Sequence, residues 1–202
     1  MSGKLVNEQY LYDIADAIRR KNGESTLYRP QDMGTAILDI QTDLDILTLS
    51  FLEREITSYS NEVITKIRTY AFNDCYELTS IDIPEVTVIE ANAIICSGLT
   101  SINVPKVTTI GLGGFSGCTS LPSIVLPCVT TIGNSAFSRC SSLTSITLSG
   151  STICTLGTNV FNDTPIASGT GYIYVPTELV DTYKAANNWS TYANQIVAIP
   201  SE

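Results

Sequence analysis

Hydrophobic positions return along the chain with a period near 22 residues. The clearest copies run Val107, Ile110, Phe115, Cys118, Leu121, Ile124, Leu126 and then Val129, Ile132, Phe137, Cys140, Leu143, Ile146, Leu148. An earlier copy runs Ile64, Ile67, Phe72, Cys75, Leu78, Ile81, Ile83 and ends on Pro84. The next, Val86, Ile89, Ile94, Leu99, Ile102, Val104 and Pro105, is one residue short after Ile94, so Cys96 arrives one place early. A fifth, degenerate copy runs Ile153, Leu156, Phe161, Ile166, Ile173, Val175 and Pro176, interrupted by a loop over 167–171. Within a copy, Leu-x-x-Ile-x-Leu passes from a spacing of three to strict alternation, which predicts a short strand with inward residues. Val-Thr-Thr-Ile predicts a second extended piece. Ala/Gly-Phe-x-x-Cys between them predicts a turn or short helix with Phe as an inward plug. A proline donates no ladder bond and so ends the strand it follows. No unit of this size buries its own apolar side, and stacking the units makes one core. The predicted fold is therefore a repeat solenoid of short stacked β-strands over 63–176.

The pattern changes at both ends. A solenoid needs caps over its terminal rungs. Thr177 is placed to N-cap a helix from Glu178 to about Ala186. Leu179, Val180 and Tyr183 would face the last rung, with Trp189, Tyr192 and Ile196 completing a lid over 177–202. Upstream, 44–62 reads as a connector in which Leu52 to Tyr59 forms a partial first strand. In 1–43, Leu11, Ile14, Ala15 and Ile18 share one helical face, and Arg19, Arg20 and Lys21 fall where cations suit the helix dipole. Gly23 stops that helix, and Pro30 opens a second one striped by Met33, Ile37 and Ile40. This predicts an N-terminal α-helical hairpin. Leu11, Ile14, Ile18, Met33 and Ile37 are its candidates for attachment or self-association.

Two resemblances follow from these residues. Phe-x-x-Cys-x-x-Leu-x-x-Ile-x-Leu-Pro followed by Val-x-x-Ile-Gly resembles the BspA-type leucine-rich repeat, from about Ile64 to Pro176. That resemblance implies a small solenoid, in a family that often appears in bacterial adhesins and surface proteins. Leu11-x-x-Ile14-Ala15-Asp16-Ala17-Ile18-Arg19-x-Lys21-x-Gly23, then Tyr28-x-Pro30-x-Asp32-Met33 with Ile37 and Ile40, is similar to a short module of phage and prophage tail proteins. That second resemblance implies a tail or baseplate component.

Composition narrows the chemistry. The 202 residues carry 11 basic and 20 acidic side chains, a net charge of −9, and no histidine. The commonest metal ligand and the commonest neutral-pH general base are both missing, and a basic nucleic-acid surface is excluded. No enzyme activity, cofactor or metal is expected. The acids crowd the first 62 residues, which hold eleven of them, while 91–162 has none and only Lys106 and Arg139 as bases. No signal-peptide h-region follows Met1 and no apolar run spans a bilayer, so synthesis in a bacterial cytoplasm without insertion into a membrane is expected. Six cysteines lack any Cys-x-x-Cys pair, and Cys75, Cys96, Cys118 and Cys140 read as a ladder of buried reduced thiols. Asp13 with Asp16, and Glu53 with Glu55, are carboxylate pairs read as solvated faces rather than catalytic pairs. Gly111-Leu-Gly113-Gly114 lacks a phosphate-loop lysine and reads as a repeat turn. Asn162 and Asn188 match the glycosylation acceptor pattern, which means little without a secretory route.

The strongest candidate site is a surface. On the strand Leu-x-Ser-Ile-x-Leu, the outward residues Asp82, Asn103, Val125, Thr147 and Tyr174 are expected to stack in a row. Ser80, Ser101, Ser123 and Ser145 form a neighbouring row that ends near Tyr172. The serine row repeats without variation and reads as structural; the varied row, with Tyr172 and Tyr174 as aromatic faces, is the candidate for recognition. The expected function is a virion tail, baseplate or fibre protein, located in the particle. Other tail proteins are its expected partners, a homo-oligomer (a trimer) its expected form, and a bacterial surface glycan or protein its receptor. The alternatives are a bacterial cell-surface adhesin, or a virion scaffold or decoration protein that binds no host.

Overall fold

The fold was analysed in a computed structural model that describes residues 57–201, Ser97 excepted. The expected hairpin over 1–43, with Leu11, Ile14, Ile18, Met33 and Ile37, lies outside the described residues, as do Asp13, Asp16, Glu53 and Glu55. Among the described residues the chain begins with β1 (Ser58–Ser60) and then climbs in rungs. The first rung holds β2 (Lys66–Ile67), β3 (Phe72–Asn73) and β4 (Ser80–Asp82); the second holds β5 (Val88–Ile89), β6 (Ile94–Ile95) and β7 (Ser101–Asn103). The third holds β8 (Thr109–Ile110) and β9 (Ser123–Val125), the fourth β10 (Thr131–Ile132) and β11 (Ser145–Thr147), and the fifth β12 (Thr155–Leu156) and β13 (Tyr172–Val175). The expected turn between the two extended pieces is a turn in the later rungs and a two-residue strand in the first two.

Every pairing is parallel and joins one rung to the next. β2, β5, β8, β10 and β12 stack into one five-stranded sheet, with Ile67, Ile89, Ile110, Ile132 and Leu156 in register and buried. On the other face β1, β4 and β7 form one sheet, and β9, β11 and β13 belong to another. The break between β7 and β9 has a local cause. Thr79, Thr100 and Thr144 each donate a backbone N–H to the rung before, at 2.9, 2.8 and 2.9 Å. The equivalent position of the third rung is Pro122, which has no N–H to give.

Three kinds of column hold the stack. Phe115, Phe137 and Phe161 lie one above another, their rings parallel with centroids 5.1 and 5.9 Å apart. Gly111, Gly133 and Gly157 run so close to the rung before that a Cβ at each would sit 2.8, 2.7 and 2.5 Å from backbone atoms. The threonines form the third column type. Thr79 and Thr100 bond by hydroxyl to the carbonyls of Thr57 and Thr79, at 2.8 and 2.9 Å. Thr87, Thr108 and Thr130 do the same to Thr65, Thr87 and Thr108, at 3.2, 3.1 and 3.1 Å. A hydroxyl so placed doubles the backbone link between rungs without burying a charge. The serines of the outward row make no such cross-rung bond; the bonds come from the threonines beside them.

The C-terminal lid replaces a missing rung. It begins with a 3-10 turn, Thr177–Leu179, followed by a single short helix α1 (Val180–Ala185), a second 3-10 turn at Trp189–Tyr192, and β14 (Ile196–Ala198). This corrects the expected helix from Glu178. Thr177 makes no side-chain cap bond, because the tight turn closes instead through Leu179 N–H to the Pro176 carbonyl at 2.9 Å. β14 pairs with β13 and covers that sheet's edge. On the other sheet, two carbonyls that each earlier rung gives to its successor are taken by side chains. Trp189 Nε1 donates to Cys154 O at 2.7 Å and Asn188 Nδ2 donates to Leu156 O at 2.7 Å. Tyr183 and Trp189 are buried against each other edge to face, with ring centroids 5.0 Å apart. The lid also corrects the reading of the fifth copy. Cys154 is buried there and Ile153 is left 37% exposed, because the lid closes over Cys154 and ties its N–H to the Tyr183 hydroxyl at 3.0 Å.

Candidate functional site

The site is built on the face that carries β4, β7, β9, β11 and β13. Alternation turns Ile81, Ile124, Ile146 and Ile173 inward, so their neighbours on both sides point out. The varied row stacks through strand register. Asp82 lies opposite Asn103, and Val125, Thr147 and Tyr174 lie opposite one another in succession. The neighbouring row pairs Ser58 with Ser80 and Ser101, then Ser123 with Ser145 and Tyr172. The Pro122 break divides the varied row into two parts, although β7 and β9 still lie side by side.

The two parts differ in chemistry. In the lower part the Asn103 amide donates to the Asp82 carboxylate at 2.8 Å, and one rung edge away the Lys106 ammonium pairs with Glu85 at 2.7 Å. The polar groups there are thus partly satisfied by each other. In the upper part Val125 is 57% exposed and Tyr172 is 49% exposed, with Tyr172 and Tyr174 rings tilted at 39° and centroids 6.2 Å apart. Exposed apolar and aromatic surface without a partner is what a recognition surface offers. Register carries Tyr174 on to Val197 of β14, so the lid extends the upper part by one more residue. The row up to Tyr174 was legible from the repeat. Val197 was not, because β14 belongs to no repeat copy.

The cysteine column is packing rather than chemistry. Cys75, Cys96, Cys118 and Cys140 are buried and free, and Cys128 is exposed. The Cys96, Cys118 and Cys140 thiols donate to the carbonyls of Phe72, Ile94 and Phe115 at 3.0, 3.3 and 3.1 Å. Cys96 thus keeps its place although its copy is one residue short. A hydrogen bond to the Cys75 thiol and burial push Cys96 up, the Cys118 thiol and burial push Cys140 up, and burial pushes Cys154 up to about 12. The same two bonds lower Cys75 and Cys118 against their burial, so it is Cys96, Cys140 and Cys154 that are held protonated and are poor nucleophiles. The Gly111–Gly114 turn is explained by the close backbone approach at Gly111 and a left-handed Gly113, φ +61°. No group of three potential metal ligands is found among the described residues, and no helix there is long and apolar enough to cross a membrane.

Comparison with known proteins agrees with this architecture. Residues 49–171 match the BspA type leucine rich repeat region in six copies. A leucine-rich repeat protein from Bacteroides ovatus has a similar structure, with TM-score 0.56 and 22% identity over 76% of this chain and 39% of that one. A leucine rich cell surface protein from Faecalibacterium prausnitzii aligns with TM-score 0.46 and 24% identity over 73% of this chain and 33% of that one. The chain thus spans well under half the length of either. No curated protein matches it. The family match covers more than half of the sequence and starts beyond the segment that resembles a tail module; the chain belongs to the BspA-type leucine-rich repeat family.

Proposed function

We propose that the protein is a non-catalytic recognition module of a bacterial cell surface, of the adhesin type, and that it binds through the upper part of the varied row. The observation that carries this is the register of Val125, Thr147 and Tyr174 beside Tyr172, an exposed aromatic and apolar strip next to a lower part whose polar groups pair with each other. Family membership supports it, because the BspA-type repeat often appears in bacterial adhesins and surface proteins. The reading as a tail or baseplate protein, with tail partners and a trimeric form, rests on residues 11–40 alone. The family match does not reach that segment, so the surface reading takes precedence.

The test has two arms. Biotinylation of intact producing cells should label the full chain, and labelled full chain should bind immobilised surface glycans or proteins of the cells it meets. Tyr172→Ala with Tyr174→Ala should weaken that binding by about tenfold, ~1.4 kcal/mol, with the melting temperature unchanged. Exclusive recovery of the chain in purified phage particles would transfer the assignment to the virion. Undiminished binding by the double variant would move the site off this face.

A further inference from the structure

The lid covers two sides of the last rung fully and the third only in part. On that third side each turn donates its backbone N–H groups forward. Gly113, Phe115 and Gly117 donate to the carbonyls of Asn134, Ala136 and Ser138 at 2.9, 2.8 and 2.9 Å. Ser135, Phe137 and Arg139 donate to those of Thr158, Val160 and Asn162 at 2.9, 3.0 and 2.8 Å. The equivalent donors of the last rung are Asn159, Phe161 and Asp163, and no rung follows them. The Tyr192 ring packs edge to face on the Phe161 ring, with centroids 5.2 Å apart. Among the described residues the N–H groups of Asn159 and Asp163 have no acceptor.

Beside these donors lies a hollow of about 230 Å³, lined mainly by Thr158, Asn159, Asn162, Asn188, Thr191 and Tyr192. The Asn188 amide is already committed to the Leu156 carbonyl. Among the described residues the side-chain amides of Asn159 and Asn162 and the hydroxyls of Thr158 and Thr191 have no hydrogen-bond partner. No lining residue is charged. We propose that this hollow is a second binding site, separate from the sheet face, for an uncharged sugar unit bearing an N-acetyl group.

Three features select that ligand class. An amide side chain presents a donor and an acceptor together, as does a hydroxyl, so two amides and two hydroxyls match a ring of sugar hydroxyls. The acetamido carbonyl is chemically the carbonyl of the missing rung and can accept from the Asn159 N–H. The uncharged lining gives an anionic or cationic ligand no counter-charge. The volume is below the roughly 300–1,000 Å³ of pockets for larger ligands, which suits a single sugar unit.

The experiment is a titration of the isotope-labelled full chain by amide-resolved NMR, with N-acetylglucosamine, glucose and glucuronic acid in parallel. N-acetylglucosamine is expected to shift the Asn159 and Asp163 N–H signals and the Asn159 and Asn162 side-chain amides, with Kd on the order of 1 mM. Glucose and glucuronic acid are expected to bind several-fold more weakly. Asn159→Gly tolerates the left-handed backbone at that position, φ +57°. Combined with Asn162→Ala it should abolish the shifts, while Tyr172→Ala with Tyr174→Ala should leave them intact. Absence of shifts, equal binding of glucose or glucuronic acid, or binding that survives Asn159→Gly with Asn162→Ala would each overturn the proposal. None of these outcomes touches the sheet-face reading, whose own variant is the tyrosine pair.

Discussion

At the scale of single residues, the tightest constraint is steric. An added Cβ at Gly133 would lie 2.7 Å from the Gly111 carbonyl carbon, backbone that has nowhere to retreat inside a stack. Gly133→Ala should therefore cost about 1–3 kcal/mol, read as a shifted midpoint in urea. Glu90 carries a different kind of link. Its carboxylate accepts from the Thr69 N–H at 3.1 Å and the Thr69 hydroxyl at 3.2 Å, and it pairs with Lys66 at 3.5 Å, all one rung below. The Thr69 backbone bond leads in holding its pKa below the ordinary carboxylate value, despite a small opposing effect of burial. A depressed folded-state pKa means that the stabilisation is complete above the ordinary value, about 4.3, and fades as the pH falls through the folded-state value. Glu90→Gln should flatten that part of the acid dependence, with thermal midpoints at neutral and acid pH drawing closer together. Solvent exposure at both Lys66 and Glu90 keeps the effect small.

Among the strands, Pro122 is the informative position. Pro122→Thr would restore the N–H that Thr79, Thr100 and Thr144 each give. The new bond contributes about 0.5–1.5 kcal/mol, and loss of the proline's stiffness in the unfolded chain offsets about 0.4–1 kcal/mol of it. The expected outcome is a nearly unchanged midpoint with a newly protected amide at 122 in hydrogen exchange. An unprotected amide would show that the two sheets are separated by something other than the proline. Much of this level was legible in the sequence. The Leu-x-x-Ile-x-Leu and Val-Thr-Thr-Ile spacings located the strands, and Phe115, Phe137 and Phe161 announced the central column. What escaped was whatever departs from the repeat. Ile153 occupies an inward position of its copy and is exposed, because burial there is decided by the lid. The break at Pro122 was readable only once the neighbouring threonines were seen donating. The short copy predicted a displaced Cys96, yet its thiol reaches the same kind of carbonyl as Cys118 and Cys140, the turn having absorbed the deletion.

For the molecule as a whole, each rung's stability depends on its neighbours, so the ends matter more than their size suggests. The lid closes the stack by imitation, with Trp189 and Asn188 giving their side-chain donors where a sixth rung would give backbone ones. Trp189→Phe removes the donor together with half of the buried indole, leaving the Cys154 carbonyl buried without a partner, at a cost of about 1–3 kcal/mol for the carbonyl alone and more for the lost packing. Hydrogen exchange should then accelerate first at Thr155 and Gly157 and only later at Thr109 and Gly111; uniform acceleration would argue for an all-or-none stack. The candidate sites also belong to this scale, since neither the tyrosine strip nor the hollow exists within one repeat. The strip needs three successive rungs, and the hollow needs the last rung and the lid together. The exchange of bonds between rungs has a further result. Away from position 122 each rung accepts the same donors from below and offers the same acceptors above, so residues 107–128 carrying Pro122→Thr could be duplicated in frame without altering what either end meets. The distance between the first rung and the lid is then a quantity that evolution, or an engineer, can set in steps of about 4.8 Å, as the span of a bridge is set by its number of identical segments.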